Sequence, residues 1–137
     1  LLTYLGFPFY DIATLTLMRN EGLTEFDPIK VDRISPDDAR SIREGGTRAT
    51  LRGIEFYNFG AFFSRAYREN DYLWGRLHGA ERMIDLVCST LEPSLDLASC
   101  TRFKRAAFLA ILAEEQGRLT ADAGLVRRIR QEVEERL

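Results

Sequence analysis

The most informative stretch of this chain reads FGAFFSRAYRENDYLWGRLHGAERMIDL and covers residues 59–86. It combines dense aromatic residues, balanced charges and two glycines, Gly75 and Gly79, four positions apart. Surface helices rarely carry this mixture, whereas a central helix with a polar role does. We therefore expect this stretch to contain the interior helix of the domain.

Read as a helix at about 100° per residue, residues 71–91 carry apolar or small side chains over more than half of the circumference. They fall on two lines, one with Leu73, Leu77, Ala80, Ile84, Val87 and Leu91, the other with Tyr72, Gly75, Gly79, Met83 and Leu86. A helix that is apolar most of the way round is buried between neighbours. Gly75 and Gly79 further predict a flat groove for another helix.

Arg76 lies between the two apolar lines. A buried guanidinium without a partner costs several kcal/mol, roughly 3–5 when a buried pair is broken. We therefore expect Arg76 to be substantially buried and bonded to a carboxylate or to backbone carbonyls. The candidate carboxylates are those of Glu55, Glu69 and Asp32.

The remaining arc of this helix holds Trp74, His78, Glu81, Asp85 and Cys88, with Arg82 beside them. His78, Glu81 and Asp85 share a face, and such spacing suits a metal site or an acid–base pair. Because this is the only histidine and no nucleophile accompanies it, the favoured interpretation is a solvated or salt-bridged face. An independent enzyme built on these three residues is the least favoured alternative.

The predicted fold class is mainly α, a bundle-like helical domain with one or two short strands in its N-terminal third. A helix is expected over residues 8–20, a strand over 29–34, a short helix from Ser35 that ends before Gly45, and a second strand over 47–51. From Phe59 the chain reads as helical to its end, with a restart or kink at residues 70–71, a loop over 93–99, and a helix end and start at Gly117 and Thr120.

Residues 1–137 are interpreted as a single domain, with a mixed part over 1–46 and a mainly helical part over 47–137. The apolar start without Met predicts a piece of a longer polypeptide. The composition, 45% apolar and 29% charged with a net charge of −2, argues against a nucleic-acid partner. The charges include 17 Arg and only 2 Lys.

Motifs for catalysis, metals and cofactors are missing from the sequence: it has no Gly-x-Ser-x-Gly elbow, phosphate-binding glycine loop, dinucleotide fingerprint or zinc motif. We therefore expect no catalytic residue, metal or cofactor. Cys88 and Cys100 have no metal or redox spacing, and as thiols they suggest a reducing compartment. No apolar run approaches the roughly 20 residues that span a bilayer. The expected location is the cytoplasm, with a peripheral position on a membrane as the alternative.

Eight aromatic residues lie between positions 56 and 74. Phe59, Phe62, Phe63 and Tyr67 follow helical spacing, which favours core packing. The alternative is an exposed surface that meets another domain or, together with Arg65 and Arg68, a lipid surface.

Three blocks carry a resemblance to a known family: VDRISPDDA at 31–39, NFGAFFSR at 58–65 and NDYLWGRLHGAER at 70–82. They resemble the uncharacterised C-terminal region of bacterial patatin-related proteins, which follows a patatin-like acyl-hydrolase domain. The resemblance covers roughly residues 1–91. One departure is His78, where an acidic residue would be expected.

The resemblance implies lipid acyl hydrolysis for a parent protein, but its Ser–Asp dyad is absent here, so no catalytic residue carries over. The expected function is a non-catalytic accessory domain that packs on the patatin-like catalytic domain of the same chain. A lipid or membrane-surface binding module is the alternative. The residues expected to serve structure or interaction are Arg76, Trp74, Gly75, Gly79, Asp71, Arg65, Phe59 and Phe63.

Overall fold

The computed structural model describes residues 6, 9, 10, 12–14, 31–91 and 95–137. The chain divides into two compact units, Leu1–Val31 and Asp32–Leu137. In the first unit the described residues before position 15 are helical, in the region where the sequence predicts a helix over 8–20. Residues 15–30, which include the second part of that predicted helix and the start of the predicted first strand, lie outside the described part.

The second unit is helical. Its elements are α1 (Gly46–Thr50), α2 (Glu55–Asn58), α3 (Gly60–Phe63), α4 (Arg65–Thr90), α5 (Leu97–Glu115) and α6 (Leu125–Arg136). Ser64 begins the long helix α4, because its hydroxyl accepts the backbone N–H of Tyr67 at 3.3 Å. Helix α4 runs without a break at residues 70–71, so the predicted restart is absent.

The predicted short strands were wrong: no β-strand occurs in residues 31–91 or 95–137. Residues 31–34 are irregular, and Val31 and Ile34 are 90% and 61% exposed, so their alternation with charged residues marks no half-buried strand. Residues 47–50 belong to α1, where the hydroxyl of Thr50 donates to the carbonyl of Gly46 at 2.8 Å. This local bond gives a β-branched residue a helical alternative to strand pairing.

The helix predicted from Ser35 is only a turn. The backbone N–H groups of Asp38 and Ala39 both donate to the carbonyl of Ser35, at 3.1 and 3.3 Å, and the chain then continues without helix to Gly45. Gly45 and Gly46 have φ values of 98° and 57°, a backbone region that glycine adopts without steric cost. The two glycines thus lead the chain directly into α1.

The core lies between α4, α5 and α6. Its buried members are Ile42, Leu73, Trp74, Leu77, Phe108, Leu112, Leu119, Leu125, Val126, Ile129 and Val133. Each fully buried large apolar side chain contributes roughly 1.5–3 kcal/mol. Leu73 and Leu77, one helical turn apart, are the aliphatic residues that α4 supplies, and both are fully buried.

Helix α4 is therefore interior on one face rather than most of the way round. The prediction of a glycine groove for another helix was wrong within the described residues: Gly75 is exposed, and a Cβ added to Gly75 or Gly79 would meet none of their atoms within 4 Å. Glycine counts as apolar in a periodicity argument, yet it brings no side chain to bury. The buried face of α4 consists of Glu69, Leu73, Trp74, Leu77, His78 and Glu81.

Candidate interaction surface

Five aromatic side chains project into solvent between residues 56 and 63. Phe56, Tyr57, Phe59, Phe62 and Phe63 are 71%, 95%, 60%, 76% and 76% exposed, and we call them the aromatic surface. The core-packing interpretation of this region was wrong for these five residues. Exposed apolar groups of this density mark interaction sites in soluble domains.

The backbone beneath this surface takes an unusual path. Phe56, Tyr57 and Asn58 have φ values of 52°, 56° and 72°, so three consecutive non-glycine residues occupy the left-handed helical region. For ordinary L-residues this costs roughly 1–2 kcal/mol per residue. Such strain persists only where the surroundings enforce it, and it is concentrated at functional sites.

One anchor of the turn is the carboxylate of Asp71 on α4. Its two oxygens accept the backbone N–H groups of Arg52 and Gly53, each at 2.7 Å. A Cβ at Gly53 would lie 2.4 Å from the same carboxylate, so glycine is required for this approach. Asp71 thus fixes the chain immediately before the aromatic surface.

A second anchor joins Glu55 to Tyr67. The tyrosine hydroxyl donates to the Glu55 carboxylate at 2.6 Å, and the Arg52 guanidinium donates to it at 2.9 Å. The bond from Tyr67, and then that from Arg52, lowers the pKa of Glu55, while the pKa of Tyr67 is raised by its bond to Glu55.

A third anchor holds α3. The guanidinium of Arg68 donates to the carbonyls of Ala61 and Phe62, at 2.9 and 3.1 Å. Gly60 is buried, and a Cβ there would lie 2.7 Å from the carbonyl oxygen of Arg52. The aromatic surface is therefore fixed on both sides by bonds from α4 or to it.

Three arginines accompany the aromatic surface. Arg52 pairs with Glu55 at 2.9 Å and Arg65 with Glu69 at 2.8 Å. Arg68 has no carboxylate within 4.0 Å among the residues the structure describes. The surface therefore combines exposed rings with a positive charge that those residues do not neutralise.

Arg76 lies elsewhere, at the contact between α4 and α5. It pairs with Glu114 at 2.8 Å and with Glu115, and its side chain is 29% exposed. These bonds, led by that to Glu114, raise the pKa of Arg76 above its usual value. Glu115 is fully buried and also accepts from Tyr72 at 3.1 Å. The partners chosen from the sequence were wrong, because Arg76 points toward α5.

Trp74 and His78 are buried rather than solvated, at 1% and 4% exposure. Their ring centres lie 5.2 Å apart, and the guanidinium of Arg43 lies 4.7 Å from the Trp74 ring. Arg43 also forms a two-point ion pair with Glu132 of α6, at 2.5 and 2.9 Å. Burial lowers the pKa of His78, although the charges of Glu81 and Asp37 oppose this effect.

The structure does not bring His78, Glu81 and Asp85 together as a site. Glu81 is buried and accepts the backbone N–H of Arg40 at 2.9 Å and the hydroxyl of Ser41 at 2.8 Å. Asp85 instead pairs with Lys104 at 2.7 Å. Within the described ranges no three His, Cys, Asp or Glu side chains are placed to hold a metal ion.

Comparison with known proteins gives a family and no activity. Residues 2–128 match a family model described as a protein of unknown function, DUF3376. The chain belongs to the DUF3376 family. Over 37 residues it is 43% identical to the uncharacterized membrane protein Rv3479 of Mycobacterium tuberculosis, a match that spans 27% of this chain and 3% of that protein. No solved structure matches the chain.

None of the helices in the described residues of this DUF3376 chain is long and apolar enough to cross a bilayer.

Two features of the DUF3376 domain escaped sequence reasoning. The first is a disulfide between Cys88 of α4 and Cys100 of α5. The second is an adjacent cavity of about 480 Å³, which we call the apolar groove and which is lined by Met83, Ile84, Val87, Cys88, Leu91, Leu95 and Phe103. The sequence carries one sign of the disulfide: Cys88 and Cys100 lie on two predicted helices that follow one another in the chain.

Carboxylates of α4 that accept loop backbone groups were also missed. Besides Asp71 and Glu81, Glu69 accepts the backbone N–H of Ala121 at 2.8 Å, and this bond lowers the pKa of Glu69. The sequence sign of these contacts is the presence of acidic residues beside the apolar face of a long helix. Glu81 holds the segment before α1 against α4, Asp71 the segment before α2 and Glu69 the segment before α6.

Proposed function

We propose that this DUF3376 domain is a non-catalytic helical accessory domain of a patatin-like acyl hydrolase, and that the aromatic surface packs on the catalytic domain of the same polypeptide. The observation that carries the proposal is the exposure of five aromatic side chains, 60–95% each, on a turn that α4 holds in place. The parent enzyme class rests on the three sequence blocks that resemble the region after a patatin-like domain.

The size of the aromatic surface suits a protein contact. Aromatic side chains bury roughly 150–250 Å² each, and a standard interface buries about 800 Å² per partner. Five such residues supply the apolar centre of an interface of that size. Aromatic anchors are also enriched among the residues that dominate binding energy.

The fixed backbone favours docking as a preformed unit. Ordering a flexible loop on binding consumes about 0.5–1.5 kcal/mol per immobilised side chain. Here Asp71, Glu55 and Arg68 already hold the turn in the free domain. The strain in residues 56–58 is then tolerated because the conformation serves binding.

Three buried carboxylates support a non-catalytic role. Glu69 and Glu81 bind loop backbone, and Glu115 binds Arg76 and Tyr72. All three thus serve as structural acceptors. This part of the proposal fits the missing nucleophile elbow of the sequence.

The test is a binding measurement between the chain and a patatin-like domain from the same polypeptide, expressed separately. We expect co-elution and a measurable heat of binding, both lost in the double variant Phe56→Ser/Phe63→Ser. Leu97→Ser is the matched control, because Leu97 is 83% exposed but lies outside the aromatic surface. Binding that survives the double variant, or no binding by the unaltered chain, contradicts the proposal.

A second candidate, attachment to an anionic membrane surface, is favoured by Arg68 beside the exposed rings. Aromatic residues and arginine at an interface suit anionic lipid, and the Mycobacterium tuberculosis relative carries the words membrane protein in its name. The proposed location is the cytoplasm, with this peripheral position as the alternative. Co-sedimentation with anionic vesicles at low salt, lost with zwitterionic vesicles and in Arg68→Gln, would favour this candidate over domain docking.

A further inference from the structure

We propose that the Cys88–Cys100 disulfide is redox-sensitive, and we call it the clasp. It controls the order of that end of the α4–α5 hairpin at which α4 ends and α5 begins, which we call the closed end, and it controls the shape of the apolar groove. The clasp lies outside the aromatic surface, so the proposal is independent of the function proposed above. It rests on where the cross-link lies, on what else holds this end of the hairpin, and on which sulfur a reductant can reach.

The cross-link joins the last turn of α4 to the first turn of α5. Cys88 lies two residues before the end of α4 at Thr90, and Cys100 lies three residues after the start of α5 at Leu97. Their Cα atoms are 6.5 Å apart, within the range of about 4.4–6.8 Å that disulfides span. The pair therefore closes a short loop at the end of the hairpin.

This end of the hairpin has almost no core of its own. Among the described residues from 82 to 103, Cys100 alone is buried. Large apolar side chains there remain open to solvent, with Met83, Val87, Leu97 and Phe103 at 51%, 52%, 83% and 54% exposure. Segments with few buried apolar contacts open locally at low free energy, so the covalent bond is the main restraint on this end.

The rest of the hairpin has separate support. Lys104 of α5 pairs with Asp85 of α4 at 2.7 Å, and Arg76 pairs with Glu114 at 2.8 Å. Beyond these ion pairs, Leu77 and Phe108 are both fully buried in the core. Loss of the disulfide therefore loosens the closed end and leaves the core helices packed.

The two sulfur atoms differ in access. Cys88 is partly exposed and lines the apolar groove, whereas Cys100 is 7% exposed. A dithiol reductant in its thiolate form attacks the sulfur of Cys88. The Cys88–Cys100 bond breaks, Cys100 leaves as a thiolate, and a mixed disulfide with Cys88 forms. The second thiol of the reductant, as its thiolate, then displaces Cys88, so that the reductant becomes a disulfide and the protein gains two electrons and two protons.

The state of the clasp then follows its surroundings. In a reducing compartment the two thiols prevail, and in an oxidising one the disulfide does. Because Cys88 forms part of the groove wall, the groove keeps its shape in the oxidised chain. In the reduced chain the last turn of α4 and the first turn of α5 fray.

Hydrogen exchange with mass spectrometry on the whole chain tests the clasp. After reduction by dithiothreitol, verified by a mass gain equal to two hydrogen atoms, we expect amide exchange in 86–90 and 97–103 to accelerate at least tenfold. Exchange in 73–81 and 106–115 should stay within twofold. Cys88→Ser/Cys100→Ser should match the reduced chain with or without dithiothreitol, and Ser89→Ala is the control that keeps the disulfide.

Four results would overturn the proposal. One is unchanged exchange at the closed end after complete reduction. Another is loss of protection throughout the core, which would mean that the bond stabilises the whole fold. The third is a pair that stays oxidised across mixtures of reduced and oxidised glutathione, and the fourth is a pair that never forms a disulfide in air.

Discussion

The carboxylate of Asp71 accepts the backbone N–H of Gly53 at 2.7 Å, across 18 positions of sequence. The same carboxylate accepts the N–H of Arg52 at 2.7 Å. One side chain of the central helix therefore satisfies two neighbouring backbone donors of the segment that enters the aromatic surface. Bonds to an ionised acceptor are stronger than neutral ones, so this contact should control the order of the turn.

Asp71→Asn should destabilise the chain by about 1–3 kcal/mol. One carboxylate oxygen becomes an NH2 group, which faces a backbone N–H group and cannot accept its hydrogen bond. Urea unfolding measures the change, and hydrogen exchange should accelerate in residues 52–63 in particular. Glu134→Gln, an exposed change on α6, should stay within about 0.5 kcal/mol. Unaltered exchange at residues 52–63 in Asp71→Asn would show that other bonds hold the turn.

Arg76 and Glu115 should be strongly coupled. Removal of one partner of a buried ion pair costs roughly 3–5 kcal/mol. The partial exposure of Arg76 and the remaining bonds to Glu115 from Tyr72 and Arg118, each at 3.1 Å, reduce this to about 2–3 kcal/mol for Arg76→Met. Glu115→Gln in the Arg76→Met background should recover part of the loss, because a buried carboxylate that has lost its partner Arg76 is then replaced by a neutral amide.

A double-mutant cycle from urea unfolding measures the Arg76–Glu115 coupling. Arg105→Met, which changes an arginine elsewhere on α5, is the comparison and should show no coupling to Glu115→Gln. Additive effects of Arg76→Met and Glu115→Gln would mean that the pair contributes little.

The sequence predicted the positions of the helices better than it predicted which of their faces are exposed. The prediction that the chain is mainly helical from Phe59 onward is confirmed, but its bounds differ: α4 has no restart at residues 70–71, and α6 begins at Leu125 and not at Thr120. The predicted orientation of α4 was wrong. Periodicity assigns only apolar residues to a buried face, whereas Glu69 and Glu81 are buried because they accept hydrogen bonds from loop N–H groups. Those partners lie 52 and 41 positions away, and no local pattern encodes such contacts.

The exposed aromatic surface was predicted only as an alternative to core packing, because local spacing does not show which way the side chains face. Helical spacing of Phe59, Phe62 and Phe63 is the same whether a helix faces a core or solvent. The left-handed turn at residues 56–58 redirects the chain, and its cause is the set of bonds to Asp71, Tyr67 and Arg68. Burial of these rings depends on that turn and not on their spacing.

Stability should fall as the pH drops below about 6.5, the ordinary pKa of histidine, because burial lowers the pKa of His78 in the folded chain. The unfolded chain then binds a proton that the folded chain does not. The contribution is fully present above pH 6.5 and decreases as the pH falls toward the folded pKa. The charges of Glu81 and Asp37 narrow the pH range over which stability falls, because they act to raise the pKa of His78 in the folded chain.

Urea midpoints measured between pH 7.5 and about 5 should show this slope. His78→Gln should flatten it, whatever the variant does to absolute stability. Carboxylates with lowered pKa values, such as Glu69 and Asp122, lose their contribution at lower pH and should leave the slope in this window unaffected. An identical slope in His78→Gln would assign the pH dependence to other groups.

Tyr57→Asn should move stability and binding in opposite directions. Tyr57 has a φ of 56° and is 95% exposed, so the present side chain gains little from burial and carries left-handed strain. Asparagine tolerates this region better than tyrosine, and the gain in the free energy of unfolding should be about 0.5–1 kcal/mol. The same change removes the most exposed ring of the aromatic surface and should weaken binding to the catalytic domain at least tenfold.

Phe62→Asn separates the two effects. Phe62 is also exposed, at 76%, but it lies in the regular turn of α3, so its replacement relieves no left-handed strain. Binding should weaken as in Tyr57→Asn, whereas stability should stay level or fall, since asparagine is no better a helix former than phenylalanine. A stability gain in both variants would trace the effect to lower surface apolarity instead of backbone strain. Unchanged binding in both would remove the aromatic surface from the docking site.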